Sequence, residues 1–107
     1  PNRVAVLTAV LEKKIGLHLG GHDIFVNVAG GVRIEEPAVD LGVVAAIASS
    51  FLDRPIAKSA LLFGEVGLAG EVRAVGHAEA RAKEAAMLGF QKCILPEASR
   101  RQMRAPD

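Results

Sequence analysis

The uncharged run from Leu41 to Leu52, bracketed by Asp40 and Asp53, constrains this chain more than any other stretch. Pro37 suits the first turn of a helix, where its missing N–H would be unpaired anyway, and the Asp40 carboxylate complements the positive end of the helix dipole. Leu41, Val44, Ala45 and Ala48 mark one face, while Val43, Ala46 and Ile47 cover the rest. A helix apolar nearly all round has to be buried. Asp53-Arg54-Pro55 stops it, because the residue before a proline avoids helical geometry. The rest of the chain is expected to pack around this element.

Upstream, Val4, Leu7, Val10, Leu11 and Ile15 repeat at helical spacing with Glu12, Lys13 and Lys14 outside, Asn2 as a cap and Gly16 as the stop. After a glycine turn, His22 to Ala29 alternates as a strand packed on both faces. Gly30-Gly31 breaks it, and Val32-Arg33-Ile34 forms a short extended segment. Downstream of the central helix, Ala60 to Leu68 reads as a strand interrupted at Gly64-Glu65. With Glu71 to Val75 it makes a hairpin across Ala69-Gly70. His77 to Leu88 is helical, with Ala78, Ala82, Ala85, Ala86 and Leu88 as the packing stripe and Gly89 as the cap. Lys92 to Leu95 is a strand, and Glu97 to Met103 a last helix. The order helix, strand, strand, helix, hairpin, helix, strand, helix is that of an α/β domain with a mixed sheet.

With 107 residues, half of them hydrophobic, the chain has material for one core. The absence of Met at position 1 and the direct entry into a helical pattern suggest a piece of a longer protein. The central run is too short to span a bilayer, so no membrane association and a cytoplasmic location are expected. Lys and Arg number 13 against 12 Asp and Glu, so bulk charge does not point to nucleic acid. Without Trp or Tyr, a base-stacking platform is not expected. Cys93 stands alone in an apolar run and reads as a small buried hydrophobe. His18, His22 and His77 do not converge as a helical pair would, and no metal site is expected. Ser49, Ser50, Ser59 and Ser99 have no base at a telling spacing and read as helix-end or loop polarity. The only local basic cluster is Arg100, Arg101 and Arg104.

Three motifs narrow this further. VAVLTAVLEKKIGLHLGGHDIFVNVAGG (Val4 to Gly31), EPAVDLG (Glu36 to Gly42) and FGEVGLAGEVRAV (Phe63 to Val75) together resemble the C-terminal Lon-protease-like domain of bacterial RadA, also called Sms. The similarity continues through EAAMLGF (Glu84 to Phe90) and CILP (Cys93 to Pro96), covering almost the whole chain. The resemblance implies a two-layer α/β fold with a mixed sheet, shared by Lon and the domain-two-like fold of a small-subunit ribosomal protein. Residues 1–107 would form this domain without its first strands. Family members carry upstream a RecA-like ATPase with a P-loop and a four-cysteine zinc motif, so ATP, Mg and Zn are implied for those domains and no cofactor for this chain.

The resemblance also maps a proteolytic site. Lon's serine lies two residues before the glycine equivalent to Gly42, and that position is Asp40. Its lysine lies three residues beyond the glycine matching Gly76, and that position is Glu79. An aspartate cannot become an alkoxide, and a glutamate cannot supply an amine base. Ser49 is about 13 Å along the helix from Asp40 and cannot substitute. No catalytic residue is therefore expected, with Asp40 a capping acid and Glu79 solvated. Were the two carboxylates brought together, one would hold its proton more tightly unless a cation intervened, and Arg81 and Arg73 are the candidates.

Implied for the whole protein is a ring-forming, hexameric DNA repair and recombination protein, an ATP-driven helicase that works with RecA on single-stranded or branched DNA. The present domain would support assembly and contribute DNA contacts. Charge places those first at Arg100, Arg101 and Arg104, then at Arg33 and Lys58. The alternatives are a residual serine-type peptidase and an oligomerisation module that never touches DNA.

Overall fold

The first helix follows its apolar stripe only until its geometry widens. In the computed structural model, which describes residues 3–21, 24 and 36–103, helix α1 (Arg3–Val10) runs into a π-helical turn, Leu11–Ile15, closed by Gly16 in the left-handed region at φ 86°. Leu7, Val10 and Leu11 are buried as the spacing requires. Ile15, expected on the same stripe, is 61% exposed. The wider turn rotates it off the face its α-helical spacing predicts. The Asn2 cap, the His22–Ala29 strand other than Ile24, the Gly30-Gly31 break and the segment around Arg33 lie outside the described residues.

A 3-10 turn, Pro37–Val39, leads into helix α2 (Asp40–Leu52). Only Asp40, Val43 and Ile47 are fully buried along it, while the expected face of Leu41, Val44, Ala45 and Ala48 is half-buried and Ala46 is exposed. The helix is thus not enclosed on all sides. Uniform apolarity does not rank the faces, and packing against α1 and the segment after residue 64 selects Val43 and Ile47. The stop at Asp53 is as expected: Asp53 sits at φ 55°, and the N–H of Arg54 donates to Ser49 O at 3.0 Å.

Strand β1 (Ala60–Leu62) is followed by β2 (Glu65–Val66), β3 (Val72–Arg73), helix α3 (Ala78–Met87), β4 (Lys92–Ile94) and helix α4 (Glu97–Gln102). Among the described residues these strands form two pairs, β1 parallel to β4 and β2 antiparallel to β3. Gly64 separates them. Its N–H donates to Ala38 O at 2.9 Å and its carbonyl accepts from Leu41 N–H at 3.0 Å, so its backbone docks the start of α2. A Cβ on Gly64 would lie 3.0 Å from Pro96 Cγ. The expected hairpin forms around Gly67 to Gly70, with Gly70 at φ 87°.

On α3, Ala78 and Ala85 are buried, but Ala86 and Leu88, assigned to the packing stripe, are exposed. Short alanines give no strong register, and the helix packs on α4. Ser99, expected in a polar tail helix, is fully buried and accepts the N–H of Val75 at 3.2 Å. The core gathers Leu7, Val10, Leu11, Leu19, Val43, Ile47 and Val66. No helix among the described residues is long and apolar enough to cross a membrane.

Candidate functional site

Asp40 is the one carboxylate sealed into the core among the described residues, at 1% exposure. It enters there because it opens α2 on the face that carries Val43 and Ile47. Arg3 reaches it from the start of α1. Arg3 Nε donates to Asp40 Oδ1 at 2.9 Å, and its Nη2 pairs with Oδ2. The same Nη2 donates to Val66 O at 3.0 Å, while Val66 N–H donates to Asp40 Oδ2 at 3.0 Å. Every partner is charged or a backbone group of β2. The hydrogen bond to Asp40 raises the Arg3 guanidinium above its ordinary value, against the opposing pull of desolvation. A bidentate arginine–carboxylate pair whose Oδ2 also accepts a backbone N–H is a fixed anion that ties α1, α2 and β2 together.

Two sequence expectations change here. Asp40 makes no capping hydrogen bond to its own helix. Its cation is Arg3, and the two arginines considered for that role are engaged elsewhere. Arg73 pairs with Glu71 at 2.6 Å and Glu65 at 3.9 Å. Arg81 donates to Gly76 O at 2.8 Å and to Glu36 at 3.2 Å, with its guanidinium 5.9 Å from the Phe63 ring centroid. Sequence did carry a signal for Arg3, since it occupies the position four before Leu7 and seven before Val10 on the buried stripe. A helix-end arginine is read as solvated unless a buried acid is known to await it. Glu79 pairs with Lys83 one turn along α3 at 3.4 Å and remains partly exposed.

The serines are dispersed. Ser49 donates its hydroxyl to Arg54 O at the end of α2, Ser50 is exposed, Ser59 lies before β1, and Ser99 is buried under Val75. Cys93 is half-buried on β4, and burial raises its thiol above the ordinary value, which leaves little thiolate. His18 and His77 are exposed to differing degrees at the surface, and His22 lies outside the described residues. Among the described residues no group of three potential ligands could hold a metal ion.

The basic residues separate into two kinds. Arg100 and Arg101 share Glu97, at 3.3 and 3.4 Å, on the exposed face of α4. These contacts, the Arg100 hydrogen bond foremost, hold the Glu97 carboxyl below the usual glutamate range. Lys58 is exposed just before β1, and Lys92, also exposed, is in parallel register with Ala60 and donates its N–H to Ser59 O at 3.1 Å. Neither lysine is paired with an acid among the described residues. Lys92 was not among the expected DNA contacts, and the β1–β4 pairing sets its backbone against Ser59, the residue after Lys58. Arg33 and Arg104 lie outside the described residues.

Comparison with known proteins gives two results. Residues 3–99 match the family described as subunit ChlI of Mg-chelatase. The chain is 54% identical over 98 residues to DNA repair protein RadA of Bacillus subtilis, covering 92% of this chain and 21% of that protein. The RadA proteins of Aquifex aeolicus, at 47% over 91% of this chain and 22% of that protein, and of Listeria monocytogenes, at 43% over 98% and 23%, are similar in the same way. The resemblance to RadA read from the three motifs thus holds across the chain. The chain spans about a fifth of the length of the curated relatives it matches.

Proposed function

Because the chain belongs to the family described as subunit ChlI of Mg-chelatase and is similar over nine-tenths of its length to DNA repair protein RadA, we propose that it is a non-catalytic domain of a RadA-type DNA repair and recombination protein. Its fold is of the Lon-like two-layer kind, and its roles are to support homo-oligomer assembly and to grip DNA phosphates. The observation that carries the first part is the Arg3–Asp40–Val66 lock. At the position where the resemblance to Lon puts a nucleophile, this chain has a buried anion whose partners are an arginine and a backbone amide. Such a site anchors elements and offers no hydroxyl to activate.

For the second part the phosphate contacts are Lys58 and Lys92, with Arg100 and Arg101 beside Glu97 as a weaker set. The lysines reach phosphate without first leaving an acid. In the longer protein, ATP, Mg and Zn belong to other domains. The hexameric ring, helicase action and cooperation with RecA on branched DNA belong to the whole.

Binding of the chain to labelled single-stranded DNA across a salt series tests this. The log affinity is expected to fall linearly with log salt, and Lys58→Ala with Lys92→Ala to flatten the slope by about 0.7 for each phosphate no longer neutralised. Arg100→Ala with Arg101→Ala flattens it less. No binding at low salt leaves the oligomerisation module, and cleavage of a protein substrate abolished by Asp40→Ala would restore the peptidase.

A further inference from the structure

Two surface features are left uncovered among the described residues, and they complement each other. One is a groove of about 220 Å³ lined by Val6, Ala9, Val10, Lys13, Lys14 and Leu68. It lies between α1 with its π-helical turn and the tip of the β2–β3 hairpin, where Leu68 is 73% exposed. Gly70 shapes one wall: a Cβ there would lie 3.1 Å from Lys14 Cβ, so its absence lets the lysine stem lie along the hairpin. Neither Lys13 nor Lys14 is paired with an acid among the described residues. The groove is therefore apolar at its floor and cationic at its rim.

The other feature is the outer face of α3. Ala80, Glu84, Met87 and the adjoining Leu88 follow the spacing i, i+4, i+7, i+8, and all are exposed, Met87 at 86% and Leu88 at 69%. That spacing is how an amphipathic helix presents anchors to a hydrophobic groove. Glu84 gives the face an acid with no basic partner among the described residues, while Lys83 at the edge of the face is paired with Glu79 at 3.4 Å. An apolar, acid-bearing helix face and an apolar, lysine-rimmed groove occur on the same chain.

We infer that α3 of one copy of this chain seats in the groove of a second copy, with Met87 and Leu88 against Val6, Val10 and Leu68 and Glu84 facing Lys13 and Lys14. The inference rests on the assembly role proposed above and specifies its surface. Because the two patches differ, the contact is head to tail, and each copy retains a free groove and a free helix for the next. It closes into a ring or extends according to the angle between successive copies.

Charge exchange tests it directly. By sedimentation across a concentration series, the parent chain is expected to self-associate. A groove variant, Lys13→Glu with Lys14→Glu, and a helix variant, Glu84→Lys, are each expected to associate at least about tenfold more weakly, because each now faces its own charge. An equimolar mixture of the two is expected to recover association, since the reversed groove of one variant then meets the reversed helix of the other. Met87→Asp should abolish self-association, should not be rescued by the helix variant, and should form only one-to-one pairs with the groove variant, whose unchanged α3 still fits its unchanged groove. A parent that associates while the charge variants behave as it does, or a mixture that stays dissociated, overturns the inference and leaves assembly through another surface. A parent that is monomeric throughout overturns both the inference and assembly by this chain. A monomeric parent whose Leu68 and Lys14 resonances shift on addition of an unrelated acidic amphipathic helical peptide likewise overturns it and assigns the groove to a foreign partner.

Discussion

Asp40 and Glu97 are both carboxylates held by arginine, each near the start of a helix, yet they do different work. Asp40 is 1% exposed and its partner Arg3 is 28% exposed, and the pair joins elements 37 residues apart in sequence. Glu97 is 57% exposed, and Arg100 and Arg101, at 70% and 77%, come from its own helix. Taking the first pair apart strands an anion in the core, whereas water replaces either partner of the second at little cost. The same chemistry is thus a fastening in one place and a solvent-exposed pairing in the other.

The largest effect that would break this contrast is expected from Arg3→Ala. It leaves Asp40 with the Val66 N–H as its remaining partner and should cost about 3 kcal/mol in denaturant unfolding. A loss below about 1 kcal/mol would mean that the carboxylate is not effectively buried. Next is Gly64→Ala, at the same corner. The added Cβ would crowd Pro96 and force a residue other than glycine to φ 158°, for about 2 kcal/mol. A smaller loss would show that the docking of Gly64 on the start of α2 is adjustable.

At the exposed pair the expected readout is binding. Glu97→Gln should lower the unfolding midpoint only slightly and raise affinity for single-stranded DNA a few-fold at low salt by freeing Arg100 and Arg101. Unchanged affinity would remove these arginines from the DNA face. The smallest effect is a titration. Glu97 is held below the usual glutamate range in the fold, so its contribution is present above the unfolded value and is lost as pH falls through the folded one. Its carboxyl resonance should titrate below that of an unpaired glutamate, and Arg100→Ala should move the midpoint upward. A midpoint unmoved by that change would mean that the Arg100–Glu97 pair is not populated in solution.

Local pattern went far in this chain. The α/β class, the α2 stop at Asp53, the hairpin at Gly67 to Gly70 and the helix before Gly89 are set by backbone restrictions that travel with the residues themselves, as in the left-handed conformations of Gly70 and Gly89. The motif resemblance to RadA likewise needed no coordinates. Tertiary structure decided what depends on partners distant along the chain. It chose Val43 and Ile47 as the inner face of an all-apolar helix, gave Asp40 to Arg3, set Lys92 opposite Ala60 through a parallel pairing, and buried Ser99. Burial and pairing are properties of two surfaces meeting, and a sequence states each surface without stating which other it will meet.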